Sequence, residues 1–234
     1  MTAIFKRELR SYFTSPIGYV FLGITLLVSG IFFVYSNLYR TVKDMSDFFN
    51  DLTLIFVLLL PLLTMRLFTE DKKNKTDQLL LTAPVTVTKI VVGKYLSAVV
   101  LFGFALVIML IYPFVMLLYG KINLLPIFAL YLGFFLAGAS LISIGVFISA
   151  TTESQIIAAV ITFITIFGIM ISGWIASVFN YPFIRYAVDW FSVFKRFTEF
   201  TAGVLSLSSV VYFLSFSAVF IYLTVLSIEK KRWS

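Results

Sequence analysis

The 234 residues contain no cysteine and no histidine. The first absence removes disulfides and thiolate metal chemistry. The second removes the commonest general base and metal ligand. Charge is scarce as well: 12% of the residues are charged, where an ordinary soluble domain has about a quarter. A phosphate loop of the form G-x-x-x-x-G-K-[ST] is also missing. Gly93-Lys94 is followed by Tyr95 and Gly120-Lys121 by Ile122, with neither the earlier glycine nor the hydroxyl residue. ATP binding by that route is excluded, and no Ser/His/Asp or Cys/His set exists for hydrolysis. The chain is therefore not expected to be an enzyme.

What is present is apolar. Hydrophobic residues make up 61% of the chain, 27 of them Phe, and mean hydropathy is +1.04. A water-soluble fold of this length cannot hide so much apolar surface, so lipid is the solvent. A membrane helix needs about 20 mostly apolar residues. Uncharged runs and their flanks predict six spans at about 16–39, 47–68, 87–119, 123–151, 154–178 and 201–228. The second contains the shortest run and carries Asp51 and Arg66 near its ends. The reading is an all-α, multi-pass membrane protein with a single transmembrane domain over 1–234.

Charge distribution gives the orientation. With the N-terminus inside, the inner segments hold Lys6, Arg7, Arg10, Arg66, Lys72, Lys73, Lys75, Lys89, Lys94, Lys230, Lys231 and Arg232. The outer ones hold Arg40, Lys43, Lys121, Arg185, Lys195 and Arg196. This bias places both termini in the cytoplasm. The net charge of +7 belongs beside anionic lipid and not on nucleic acid, because no soluble segment joins a basic patch to base-stacking aromatics.

The first apolar run is too long for a signal core and lacks an A-x-A-like site, so it reads as a retained span. Ser15-Pro16 is its expected start, an N-cap with proline in the first turn. Ahead of it, Ile4, Phe5, Leu9, Tyr12 and Phe13 share a helical face opposite Lys6, Arg7 and Arg10, with Glu8 at the edge of the apolar arc. Residues 1–14 thus predict an amphipathic helix on the inner leaflet. Span interiors hold almost no ionisable groups, which argues against a proton relay. Small residues recur at four-residue spacing (Gly133 and Ala137; Gly145 and Ser149; Gly168, Ser172 and Ala176), as close helix packing in lipid requires. Pro61 and Pro113 predict kinks.

Ions gather instead in residues 69–86, T-E-D-K-K-N-K-T-D-Q-L-L-L-T-A-P-V-T. Asn74 is the expected N-cap of a short helix, with Asp77 in its first turn and Gln78, Leu79, Leu80 and Leu81 following. Pro84 ends it. Thr86 or Thr88 then caps the third span. A leucine cluster flanked by ions suits either docking to a protein or lying under lipid head groups.

Glu70 to Val85, E-D-K-K-N-K-T-D-Q-L-L-L-T-A-P-V, resembles the acid–basic–T–x–x–L-L–x–x–P-V signature of ABC-2-type transporter permeases. Gly145 to Val160 resembles that family's junction between spans four and five. Tyr212 to Trp233 resembles the closing span of its gliding-motility and copper-processing branch. The resemblance implies the type V exporter fold in a prokaryotic cell membrane. It further implies a second permease, identical or paralogous, and two cytoplasmic ABC ATPase subunits. Those partners would bind ATP and Mg, so this chain needs no cofactor of its own.

By the same resemblance, Glu70, Asn74, Thr76, Asp77, Gln78, Leu79, Leu80, Leu81 and Pro84 form the coupling contact with the ATPase, and Thr152 and Glu153 a smaller second one. The family often has Gly where this chain has Lys75, and Glu where it has Asp77. The aromatic segment 179–200 pairs Arg185 with Asp189 and Lys195 with Glu199 at helical spacing. It resembles the family's re-entrant outer helices, with Tyr186, Asp189, Trp190, Phe194, Lys195 and Glu199 as the outer gate. The rival readings are a non-transporting membrane scaffold and an ion-coupled carrier.

Overall fold

The computed structural model describes residues 2–39, 44–76, 85–119, 123–178 and 193–233. Among these there is no strand, and six helical stretches are long and apolar enough to cross a membrane: Pro16–Tyr39, Ser46–Lys73, Val87–Leu118, Leu124–Thr151, Gln155–Ser172 and Leu207–Lys230. The elements in chain order are α1 (Thr2–Thr14), α2 (Pro16–Phe33), α3 (Ser46–Thr64), α4 (Arg66–Lys73) and α5 (Val87–Met109). They continue with α6 (Ile111–Tyr119), α7 (Leu124–Thr151), α8 (Gln155–Val178), α9 (Val193–Thr201) and α10 (Leu207–Trp233). A π-helical turn, Val34–Tyr39, prolongs α2.

The fourth span, α7, is the axis of the bundle. Its window is 83% buried, against 17% for α8, and α3, α5, α8, α9 and α10 all pack on it. Small residues make this possible. A Cβ on Gly145 would overlap the Thr64 side chain of α3, and one on Gly133 would overlap the ring of Phe200 in α9. The small rows of the fourth span therefore serve packing within the chain. Gly168 on α8 meets only open space.

The two prolines are treated differently by their surroundings. Pro61 sits inside α3, and Met65, with helical φ and ψ and its N–H on the Pro61 carbonyl, joins α3 to α4. Pro113 has no N–H to offer the carbonyl of Met109 four residues back, and α5 breaks at Leu110. The hydroxyl of Tyr131, in α7, donates to that Met109 carbonyl at 2.7 Å. The kink is thus stapled from the neighbouring span.

One boundary and two contacts depart from expectation. Ser15 takes the extended N-cap conformation before Pro16, but its hydroxyl makes no cap bond; it accepts from Arg66 instead. The sixth span starts at Leu207 and not near 201, because Gly203 at φ 74° turns the chain after α9. The apolar arc of α1 is turned onto the protein: Tyr12 is 2% exposed and donates to the Leu63 carbonyl at 2.9 Å, while Ile4 and Phe13 pack on the core.

α10 runs parallel to α7, with Ser140 beside Phe213 and Ser217, and Phe147 beside Phe220. The last helix therefore finishes at the same end of the bundle as α1, α4 and the turn after α7. This is called the loop end; the opposite one is the far end.

Candidate functional site

Four polypeptide segments meet at the loop end through buried ions. Lys94 lies within α5 with its side chain 1% exposed, where an unpaired ammonium would be untenable. Its Nζ is 3.0 Å from Glu8 Oε1 of α1 and 2.6 Å from Asp71 Oδ2 of α4. It also donates to the Leu67 carbonyl and stands 5.1 Å from the centre of the Phe68 ring. Asp71 receives the ammonium off the hydrogen-bond direction, so this contact is an ion pair more than a directed bond. Arg7 closes the group, 2.5 Å from Glu8 and 3.5 Å from Asp71. Partial burial of Arg7 opposes its charge, but Glu8, Asp71 and Glu70 outweigh that and push its pKa up.

A second set lies alongside. Arg66 Nε donates to Glu70 at 2.7 Å, and its other nitrogens reach Ser15 and Ser11 at 2.5 and 2.8 Å. Lys72 Nζ donates to the carbonyls of Ala150 and Thr152 at 2.5 and 2.6 Å, and more weakly to Ser149 at 3.4 Å. These are the orphan carbonyls at the end of α7, where a cation also suits the helix dipole. Ser149 Oγ donates to the Met65 carbonyl and accepts from the Phe68 N–H. One lysine and one serine thus join the base of the charged loop to the turn between the fourth and fifth spans.

The loop leaves α4 through a defined turn. Lys75 N–H bonds the Lys72 carbonyl and Thr76 N–H bonds the Asp71 carbonyl, with Lys75 at φ 55°. That is the Schellman arrangement, with Lys75 in the left-handed position usually given to glycine. Asn74 is accordingly the C-cap of α4 and does not begin a new helix. The expectation of an N-cap at Asn74 fails because the glycine that normally marks such an ending is absent. Thr76 returns its hydroxyl to Asp71 Oδ1 at 2.9 Å. Asp77, Gln78, Leu79, Leu80, Leu81 and Pro84 lie outside the described residues. Thr86 occupies the N-cap of α5 without a side-chain bond. Thr152 is the C-cap of α7, and Glu153 beside it is exposed.

The far end is built from rings. Phe48, Phe49, Phe134, Phe197 and Phe200 are buried, with Phe134 at 5.1 Å from Phe49 and 5.7 Å from Phe197. α9 lays Val193, Phe197 and Phe200 against α7 and α8. Ser46 of α3 donates to the Thr201 carbonyl at 2.9 Å. Phe194 lines a small internal cavity with Thr53 and Phe56, whereas Lys195 is exposed. Glu199 pairs with Arg196 at 3.4 Å, one residue along from the Lys195 its spacing selects. It also accepts from Ser209 of α10; that bond, with Ser206 and Arg196, holds its carboxyl below the usual range. Tyr186, Asp189 and Trp190 lie outside the described residues.

Residues 24–230 match the family model described as ABC-2 family transporter protein. The chain belongs to that family. No curated protein matches it. As an ABC-2 permease it is a multi-pass membrane subunit of an ABC transporter, a class that works with a partnering ATPase subunit.

Sequence reasoning missed the permease's Lys94–Glu8–Asp71 group. The signals were two: Glu8 placed beside an otherwise apolar arc, and Lys94 lying inside the predicted third span. Opposite charges on two apolar faces point at one another, because neither can be buried alone.

Proposed function

We propose that this permease is the engineless half of an ABC exporter, worked from the cytoplasm by a separate ATPase that grips its loop end. The single observation supporting this most is Lys72, whose bonds to the end of α7 make α4, the base of the 77–84 loop and the Thr152–Glu153 turn one surface. Lys94 adds α1 to the same body through Glu8. A push on any part of it is carried into α3 and α7, the most deeply packed spans. The chain binds no ATP itself; ATP and Mg belong to the partner. Both termini are cytoplasmic.

In the complete transporter two ATPase subunits pair with two permeases, the second identical or paralogous. The sparsely covered face of α8, with Gly168 open, is available to that second permease. Phe194, Lys195 and Glu199 on α9, with Tyr186, Asp189 and Trp190 before them, form the outer gate. Leu79→Asp with Leu80→Asp is expected to abolish ATPase co-purification while leaving membrane insertion intact. Full retention of the ATPase on that double variant would remove the docking role from the loop.

A further inference from the structure

Between α5 and the first half of α7 runs an open groove of about 600 Å³. Gly103, Val107, Leu110, Phe128, Leu132 and Phe135 line it, and no charged residue does. Its one polar group, the Tyr131 hydroxyl, is already used on the Met109 carbonyl. Phe135 forms the back wall, held parallel to Phe102 at 6.2 Å. The break at Leu110 shapes the wall opposite Phe128.

Depth decides what can enter. Phe128 and Phe135 stand four and eleven residues past Leu124, about 6 and 16 Å into a span at about 1.5 Å per residue. That is hydrocarbon depth, where water does not fill an apolar space and a chain with free backbone groups cannot lie. Two occupants remain: a helix of another protein, or an acyl chain. Helices in lipid associate through small residues that let backbones approach. This groove presents large ones, with Phe128 60% and Val107 61% exposed at its rim. Its only glycine, Gly103, is directed at Phe135, whose ring stands 3.2 Å from where a Cβ on that residue would sit. An unfilled groove would forfeit dispersion contacts along its whole lining.

We infer that the groove is a site for one acyl chain of a bilayer lipid, held against the stapled kink of the third span and distinct from loosely bound boundary lipid. The site needs only that the chain crosses a membrane; it does not rest on the transport direction or on ATPase docking.

The test uses the full chain reconstituted with a phosphatidylcholine carrying a photoreactive diazirine midway along one acyl chain, with the labelled residues mapped by mass spectrometry. Labelling is expected to concentrate on 99–110 and 128–135, about tenfold above the exposed α2 face of Val20, Leu27 and Ile31, equivalent to a preference of about 1.4 kcal/mol. Val107→Trp, which fills the rim, is expected to remove most of that excess, and Leu27→Trp to leave it unchanged. Even labelling around all spans, in proportion to exposure, would overturn the site, and that result does not depend on either variant folding. So would a disulfide between copies carrying Val107→Cys, which places a second protein in the groove; the chain has no other cysteine to confuse this result.

Discussion

At the loop end, Lys94 pairs with Glu8 and Asp71 while Lys72 binds the carbonyls that close α7; at the far end, Phe49 and Phe197 pack ring against ring on Phe134. Ion pairs and charged bonds to carbonyls are directional and fail abruptly when one member leaves. Edge-to-face rings tolerate sliding, because each contact is small and many arrangements are nearly equal. The comparison teaches a division of labour: the loop end is built to move as a piece, and the far end is built to repack.

The largest expected effect breaks the loop end. Lys94→Met leaves Glu8 and Asp71 with only the half-exposed Arg7 as counter-charge, and is expected to cost about 3–5 kcal/mol in unfolding measurements. Adding Glu8→Gln and Asp71→Asn should return most of it, because the cost lies in buried charges left without their partner. At the far end, Phe200→Ala is expected to cost about 3 kcal/mol by leaving a cavity beside Gly133. That variant should show no rescue by any neutralised neighbour, which is the sharpest contrast between the two ends.

Two smaller effects refine the picture. Lys75→Gly is expected to stabilise the loop end by about 1 kcal/mol, since glycine carries no penalty at φ 55°. It would also show that the departure from the family's usual glycine costs something here. Glu199 has a depressed pKa, so its contribution is complete above the ordinary Glu range of about 4.3 and is lost as pH falls through the lower folded value. Acid unfolding of the wild type should therefore lose this contribution below about pH 4, and Glu199→Gln should flatten the curve slightly there. Its carboxyl is 38% exposed, so the change will be the smallest of the four.

Much of the fold was legible because lipid enforces it. Apolar runs bounded by charges had to be helices, and the second span was visible from its phenylalanine flanks despite Asp51 and Arg66. The small residues of α7 announced close packing, but not which neighbour takes which glycine. Boundaries set by local geometry were hidden: the turn at Gly203 leaves no mark on a count of uncharged residues. The site was half legible. Crowded ions near Glu70 drew attention to that segment, and the structure does bring the Thr152 turn against its base. The reason the two lie together was not visible, because Lys72 reads as a solvated loop charge until α7 ends in front of it. Asn74 misled for a related reason: a Schellman ending that uses lysine in place of glycine has no sequence mark.

The central claim is that α1, α4 and the turn after α7 form one body that a partner ATPase moves. Lys6, Lys73, Glu153 and Lys195 are exposed and the chain has no cysteine, so spin labels can be placed singly or in pairs at these positions. Distances among labels at Lys6, Lys73 and Glu153 would be measured in the reconstituted complex with and without a non-hydrolysable ATP analogue. Those three distances are expected to stay constant while each label moves relative to Lys195 on α9. If nucleotide instead separates Lys73 from Glu153, the loop base and the α7 turn move independently, and the body described here does not exist.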